Sequence, residues 1–325
     1  MLETIVKRLT VAAAAGMFLV LIQGTLVTNT GSADGCGNSW PLCHGKFVPQ
    51  YTVATAIEYS HRLVVSVESA LIIAASLGVL WLWRQRKEFR IYVPFMIFFL
   101  FLQAGLGAAS VMWPQAEEIK ALHFGVSLVA FASTLLTAVL AYEQHGRDKL
   151  RDRPIPRWLI WTVWGLAGYT YLVVYLGAYT RHTDSSLACT DWPLCNGSAF
   201  PGFSGPVGIV FSHRIAALVL VIAMAALLSY TVRMRDYRPD LYWGSIIALV
   251  LVIAQAIGGA AVVWSRMDVF ATLSHGTIVS LFFGTLAYLC IHVLPRPESA
   301  RLTAPAPERG ERFSPAPSPA GSTGD

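Results

Sequence analysis

The sequence predicts an all-α integral membrane protein of eight transmembrane helices. These form two tandem four-helix bundles related by a pseudo-twofold axis along the membrane normal. Three observations predict it. The 325 residues are 55% hydrophobic and only 13% charged, with a mean hydropathy of +0.54, which is more apolar surface than a soluble domain can hide. Eight runs reach the roughly 20 apolar residues needed to cross a bilayer. Four short motifs recur in the same order at an offset of 152 residues.

The runs cover residues 9–28, 60–83, 92–113, 119–142, 158–179, 210–232, 241–264 and 270–293. Lys7 and Arg8 precede the first as they would a signal peptide, but its apolar stretch is long and no A-x-A-type cleavage site closes it. It is therefore read as a helix. With the N-terminus inside, the inner segments carry 18 of the 24 Lys and Arg. Only Lys46, Arg62, Lys120, Arg181, Arg214 and Arg266 are left outside. This asymmetry puts both termini in the cytoplasm and the protein in the cytoplasmic (inner) membrane. The net charge of +5 is then a topology signal, and no nucleic-acid site is expected.

The repeat organises the chain. Trp40-Pro41-Leu42-Cys43 matches Trp192-Pro193-Leu194-Cys195, and Ser60-His61-Arg62 matches Ser212-His213-Arg214. The "QAGLGAASV" from Gln103 matches "QAIGGAAVV" from Gln255, and His123 matches His275. A duplicated four-helix unit follows, and because four is even, both copies enter the membrane in the same direction. The expected divisions are an N-terminal bundle over 1–145, a cytoplasmic linker over 146–157, a C-terminal bundle over 158–294 and a disordered cytoplasmic tail over 295–325. That tail is rich in Pro, Ala and Ser and cannot bury a core.

His61 and His213 lie near the start of the second helix of each unit, His123 and His275 near the start of the fourth. All four helices run from outside to inside, so each pair shares one depth. Two imidazoles facing across a bundle can ligate a haem iron from both sides, and ionisable groups within a membrane are costly enough to mark function. Zinc fits less well, because each pair lacks the further Cys, His or carboxylate that zinc prefers. His44, His145, His182 and His292 have no partner in the repeat and are read as surface or helix-end residues, with a haem-related role left open for His44 and His182, which flank the cysteine loops. Arg62 and Arg214 follow a ligand histidine against the positive-inside trend. Snorkelling to the outer interface would explain either alone; pairing with haem propionates would explain both.

Cys36 and Cys43 are spaced C-x6-C, and Cys189 and Cys195 C-x5-C, in outer loops exposed to oxidising machinery. An intra-loop disulfide is expected in each. It either closes the loop over a haem edge or, in the first loop, takes part in redox or haem entry. Cys290 is alone in the last helix and is read as a small apolar residue.

The two units differ at Glu58, one turn before His61 on the same helical face, because its counterpart is Val210. A carboxylate beside one histidine and an aliphatic group beside the other make the two sites inequivalent. With "EYSHR", the paired cysteine loops and the four histidines in place, the chain resembles haem A synthases of the bacterial type with paired cysteines. The resemblance covers all eight helices. It implies oxidation of a ring methyl of haem O to a formyl group, giving haem A for terminal oxidase assembly. It assigns His61 and His123 to substrate haem O, His213 and His275 to a haem b cofactor, and Glu58 to catalysis. The implied partners are haem O, the enzyme that makes it, an electron acceptor and the lipid bilayer, with homo-oligomerisation open. The rival readings are a quinol-linked di-haem b electron-transfer cytochrome, and a haem carrier without chemistry.

Overall fold

The computed structural model describes residues 1–50, 52–113, 116–143 and 147–295. The expected tail beyond Pro295 and His145 lie outside the described residues. Eight helices are long and apolar enough to cross a membrane: α1 Leu2–Asn29, α2 Val53–Trp83, α3 Lys87–Met112, α4 Glu117–Glu143, α5 Arg157–His182, α6 Gly205–Thr231, α7 Pro239–Trp264 and α8 Val269–His292. The chain is an all-helical integral membrane protein. Among the described residues the only β pairing consists of two isolated bridges in the cysteine loops.

The helices outrun the apolar runs, chiefly at their N-terminal ends, because polar residues there still satisfy backbone groups. Thr52 Oγ1 caps α2 by accepting from Thr55 N at 3.2 Å, and Asp268 Oδ1 caps α8 by accepting from the amides of Phe270 and Ala271. The expected start of the second span at 60 is therefore too late. With α2 beginning at Val53, Glu58 and His61 stand inside a regular helix. The segment read as a linker contains a 3₁₀ helix over Arg147–Asp152 before α5 begins at Arg157.

Helices α1 to α4 pack in sequence and α4 returns to α1; α5 to α8 do the same, with α8 returning to α5. The groups join where α4 meets α5, where α1 meets α8 and where α4 meets α8. Helix α4 is the centre. It is buried over 78% of its most apolar window, against 22–39% for the others. Its small residues allow this: Ala, Ser, Thr and Gly let neighbours approach on every side. The hydroxyls of Ser127, Ser133 and Thr137 each donate to a carbonyl one turn back, so none is left unsatisfied. Exposed Leu77, Phe101, Leu172 and Val250 lie on the faces a bilayer would cover.

Candidate functional site

Two short loops cap one end of the molecule. Each is closed by a disulfide, Cys36–Cys43 and Cys189–Cys195, with Cα atoms 4.7 and 4.6 Å apart. Directly after each second cysteine the chain reverses. Cys43 and Lys46 exchange backbone hydrogen bonds, as do Cys195 and Ser198. The two intervening residues have positive φ in both loops: His44 51° and Gly45 72°, Asn196 52° and Gly197 78°. That is the backbone of a tight hairpin turn, and it explains His-Gly and Asn-Gly at these positions. The Trp40–Pro41 and Trp192–Pro193 bonds are both cis. In the second loop Asp191 accepts from the amides of Gly197 and Asn196, and these bonds, Gly197 first, hold its carboxyl below the usual carboxylate range.

An arginine ties each loop to the helix below. Arg62 donates to the carbonyls of Ser39 at 2.7 Å and Leu42 at 3.0 Å. Arg214 donates to those of Leu194 at 2.6 Å and Cys189 at 3.4 Å. These contacts are what the structure gives the two residues expected at haem propionates.

Beneath the first loop lies Glu58, 3% exposed. One carboxylate oxygen accepts from the backbone N–H of Cys36 at 2.7 Å, and the other pairs with Arg62. Glu58 is thus clamped between the disulfide loop and the residue after His61. Its counterpart Val210 is also buried, but packs against the Cys189–Cys195 bridge with Ala188 and Val207. One half places a carboxylate against its loop, the other an aliphatic group.

His61 and His213 are the ninth residues of α2 and α6; His123 and His275 are the seventh of α4 and α8. His61 and His123 lie close enough to interact electrostatically, as do His213 and His275. Each imidazole rests on a glycine of the preceding helix. A Cβ added at Gly24 would lie 3.6 Å from His61 Cε1, at Gly107 3.4 Å from His123 Cε1, at Gly177 2.8 Å from His213 Cε1 and at Gly259 3.3 Å from His275 Cε1. The correspondence is exact in register. Gly107 and Gly259 are 152 apart, and Gly24 and Gly177 are 153 apart, as are Cys36 and Cys189, because the second cysteine loop is one residue shorter.

Residues 7–287 match the family model for COX15-CtaA, described as cytochrome oxidase assembly protein. The chain belongs to the COX15-CtaA family. Its relatives include the "Heme A synthase" of Bacillus licheniformis, 40% identical over 292 residues covering 88% of this chain and 95% of the relative. Those of Symbiobacterium thermophilum and Geobacillus kaustophilus are 41% and 39% identical, covering 89% and 87% of this chain and 95% and 90% of theirs.

For a COX15-CtaA protein the donor set suits haem. The Nδ1 atoms of all four histidines are buried without a hydrogen-bond partner among the described residues, a cost that buried polar groups seldom carry without a role. Among the described residues no three His, Cys, Asp or Glu side chains come together as a metal site. Two imidazoles suffice only where the ligand brings its own equatorial nitrogens, as a porphyrin does.

The sequence signals missed several residues. Gln255 heads one copy of the small-residue motif, and its amide contacts His275 Nε2 at 3.0 Å; its counterpart Gln103 is buried, with Oε1 unpaired among the described residues. Their recurrence at the repeat offset is visible, but the motif is read for its small residues and not for the glutamine that heads it. Read as a surface or helix-end residue, His292 ends α8 but is buried, with Nδ1 3.0 Å from Asp240 and Nε2 3.2 Å from Glu143. His44 bonds to the Gly35 carbonyl across the first loop. His182 is the last residue of α5. Cys290 is buried in the core of the second half, as read.

Proposed function

We propose that this protein is a haem A synthase, oxidising a ring methyl of haem O to a formyl group. The observation that carries this is Glu58: a buried carboxylate one turn from His61, absent from the other half, in a family whose relatives bear that name. In this reading α1–α4 form the substrate bundle and α5–α8 the cofactor bundle, related by the pseudo-twofold axis. His61 and His123 hold the substrate iron. His213 and His275 hold haem b, which when bound relays electrons. Arg214, with donors beyond those given to the loop carbonyls, neutralises a propionate, and Arg62, already paired with Glu58, donates to one through its remaining N–H groups. The cysteine loops face outward and both termini lie in the cytoplasm, as the basic residues require.

Converting CH₃ to CHO with water as the oxygen source releases four protons to the medium and four electrons, which must leave to an external electron acceptor. With histidine on both faces of the substrate iron, no axial position remains for oxygen. Stepwise electron withdrawal followed by attack of water on the electron-poor methyl carbon fits this ligation. Glu58 then stabilises the developing positive charge or accepts a proton. Its clamp between Cys36 N and Arg62 fixes the carboxylate in advance.

Extraction of haem from membranes containing the protein and a haem O source tests the proposal. A formyl haem is the expected product. Haem b with unchanged haem O would instead support a di-haem electron-transfer protein or a carrier.

A further inference from the structure

Deeper in the first half lies a second carboxylate that the proposed chemistry does not use. Glu68 of α2 is 4% exposed, and its Oε1 is buried without a hydrogen-bond partner among the described residues. It stands seven residues beyond His61, hence on the same helical face and about 10 Å deeper. Both residues press on α1: His61 on Gly24, and Glu68 on Gly16, where any Cβ would overlap the carboxylate. Beside Glu68 is a cleft of about 330 Å³ lined by Gly16, Leu19, Leu63, Val64, Val67 and Glu68. Its walls are otherwise apolar, and it opens past the exposed side chains of Leu63 and Val67.

The second half has neither the carboxylate nor the glycine at the corresponding positions. Leu220 replaces Glu68 at the 152-residue offset, and Tyr169 replaces Gly16 at the 153-residue offset that holds before the cysteines. Tyr169 instead bridges to α6, its hydroxyl donating to the Ala216 carbonyl at 3.1 Å. The buried carboxylate seated on a glycine is thus specific to the half assigned to substrate.

The two haems of the proposed function differ in a matching way. Haem O carries a hydroxylated isoprenoid chain where haem b has a vinyl group, on the macrocycle edge opposite the propionates. The guanidinium of Arg62, assigned to the propionates, reaches back to the loop carbonyls of Ser39 and Leu42, whereas Glu68 stands two turns farther along α2 from the loop than His61. We infer that Glu68 and its cleft recognise the hydroxylated isoprenoid chain of the substrate haem, Glu68 bonding the hydroxyl while the cleft takes the first part of the chain and lets the rest pass toward lipid. This rests on the functional reading above. Glu68 is a binding residue here and takes no part in the oxidation.

The test is titration of haem O and of haem b into the first site of the full-length protein already carrying haem b in its second half, followed by the Soret and low-spin bands. Glu68→Leu is expected to weaken haem O about tenfold or more, by removing a buried hydrogen bond, and to leave haem b unchanged. Glu68→Gln keeps a bonding group and retains most of the preference. Val67→Trp, at the exposed mouth of the cleft, is expected to weaken haem O alone without disturbing the bundle. Equal weakening of both haems, or unchanged haem O affinity in Glu68→Leu, overturns the inference. Unchanged affinity with lost turnover does so in favour of a proton-carrying Glu68. Wild-type protein that takes no haem O through His61 and His123 overturns the functional reading as well, whereas intact haem A formation without the preference overturns only this inference.

Discussion

Single residues divide the two halves. Glu58 was legible because the motifs recurring at an offset of 152 residues allow position-by-position comparison, and Val210 stands where the carboxylate would recur. Its clamp was not legible: the Cys36 amide is 22 positions away in sequence, and only folding brings it near. Glu58→Gln retains an acceptor for that amide but not the charge. It is expected to cut haem A formation by about 10²-fold or more while both haems stay bound, as measured by product extraction alongside the absorption spectrum. The glycine seats give a paired prediction. At Gly177 a methyl group would lie 2.8 Å from His213, whereas at Gly24 it would lie 3.6 Å from His61. Gly177→Ala should displace the imidazole and lose or shift the low-spin spectrum of the second site. Gly24→Ala should leave the first site's spectrum unchanged.

At the scale of elements, helices were legible and their contacts were not. Hydropathy located all eight spans but not the capped first turns, since Thr52 and Asp268 stabilise helix ends without being apolar. Cysteine spacing and compartment predicted the two bridges, and the structure has both. The arginines show the limit of local reading, because a guanidinium's partners are set by which loop folds back over it. Arg62 and Arg214 hold loop carbonyls 20 to 25 residues upstream, and no periodicity encodes that. Closing so short a loop stabilises by about 2 kcal/mol in the chain-entropy account. Replacing Cys189 and Cys195 together by Ser is expected to lower stability by roughly this amount while leaving the helices intact, read by thermal unfolding in detergent against circular dichroism at the starting temperature.

Across the whole molecule, polar ties hold the halves together at both ends. At the cysteine-loop end Arg181 of α5 donates to Asn29 Oδ1 and to the Thr28 carbonyl of α1, both at 3.1 Å. At the opposite end a buried network joins the elements. Arg151 bonds Glu88 of α3 at 2.8 Å and the Leu294 carbonyl at 3.1 Å. Arg238 pairs with Asp240 of α7 at 2.7 Å and donates to the His292 carbonyl, and His292 reaches Glu143 of α4. Removing one member of such a network strands its partners. Arg151→Met is expected to cost about 3 kcal/mol in thermal unfolding in detergent while the haem spectrum of the folded protein is unchanged. The sequence by itself determined that the chain is a helical membrane protein, where its spans lie, which residues recur and that the carboxylate of Glu58 does not. These follow from composition, hydropathy and register, which are properties of the chain read along its length. Only the tertiary structure decided that Glu58 is held by the first disulfide loop, that glycines seat the histidines, that Glu68 lines a cleft and that α4 is the buried centre. Each depends on groups far apart in sequence meeting in space, and an apolar run carries no record of which neighbour it will face.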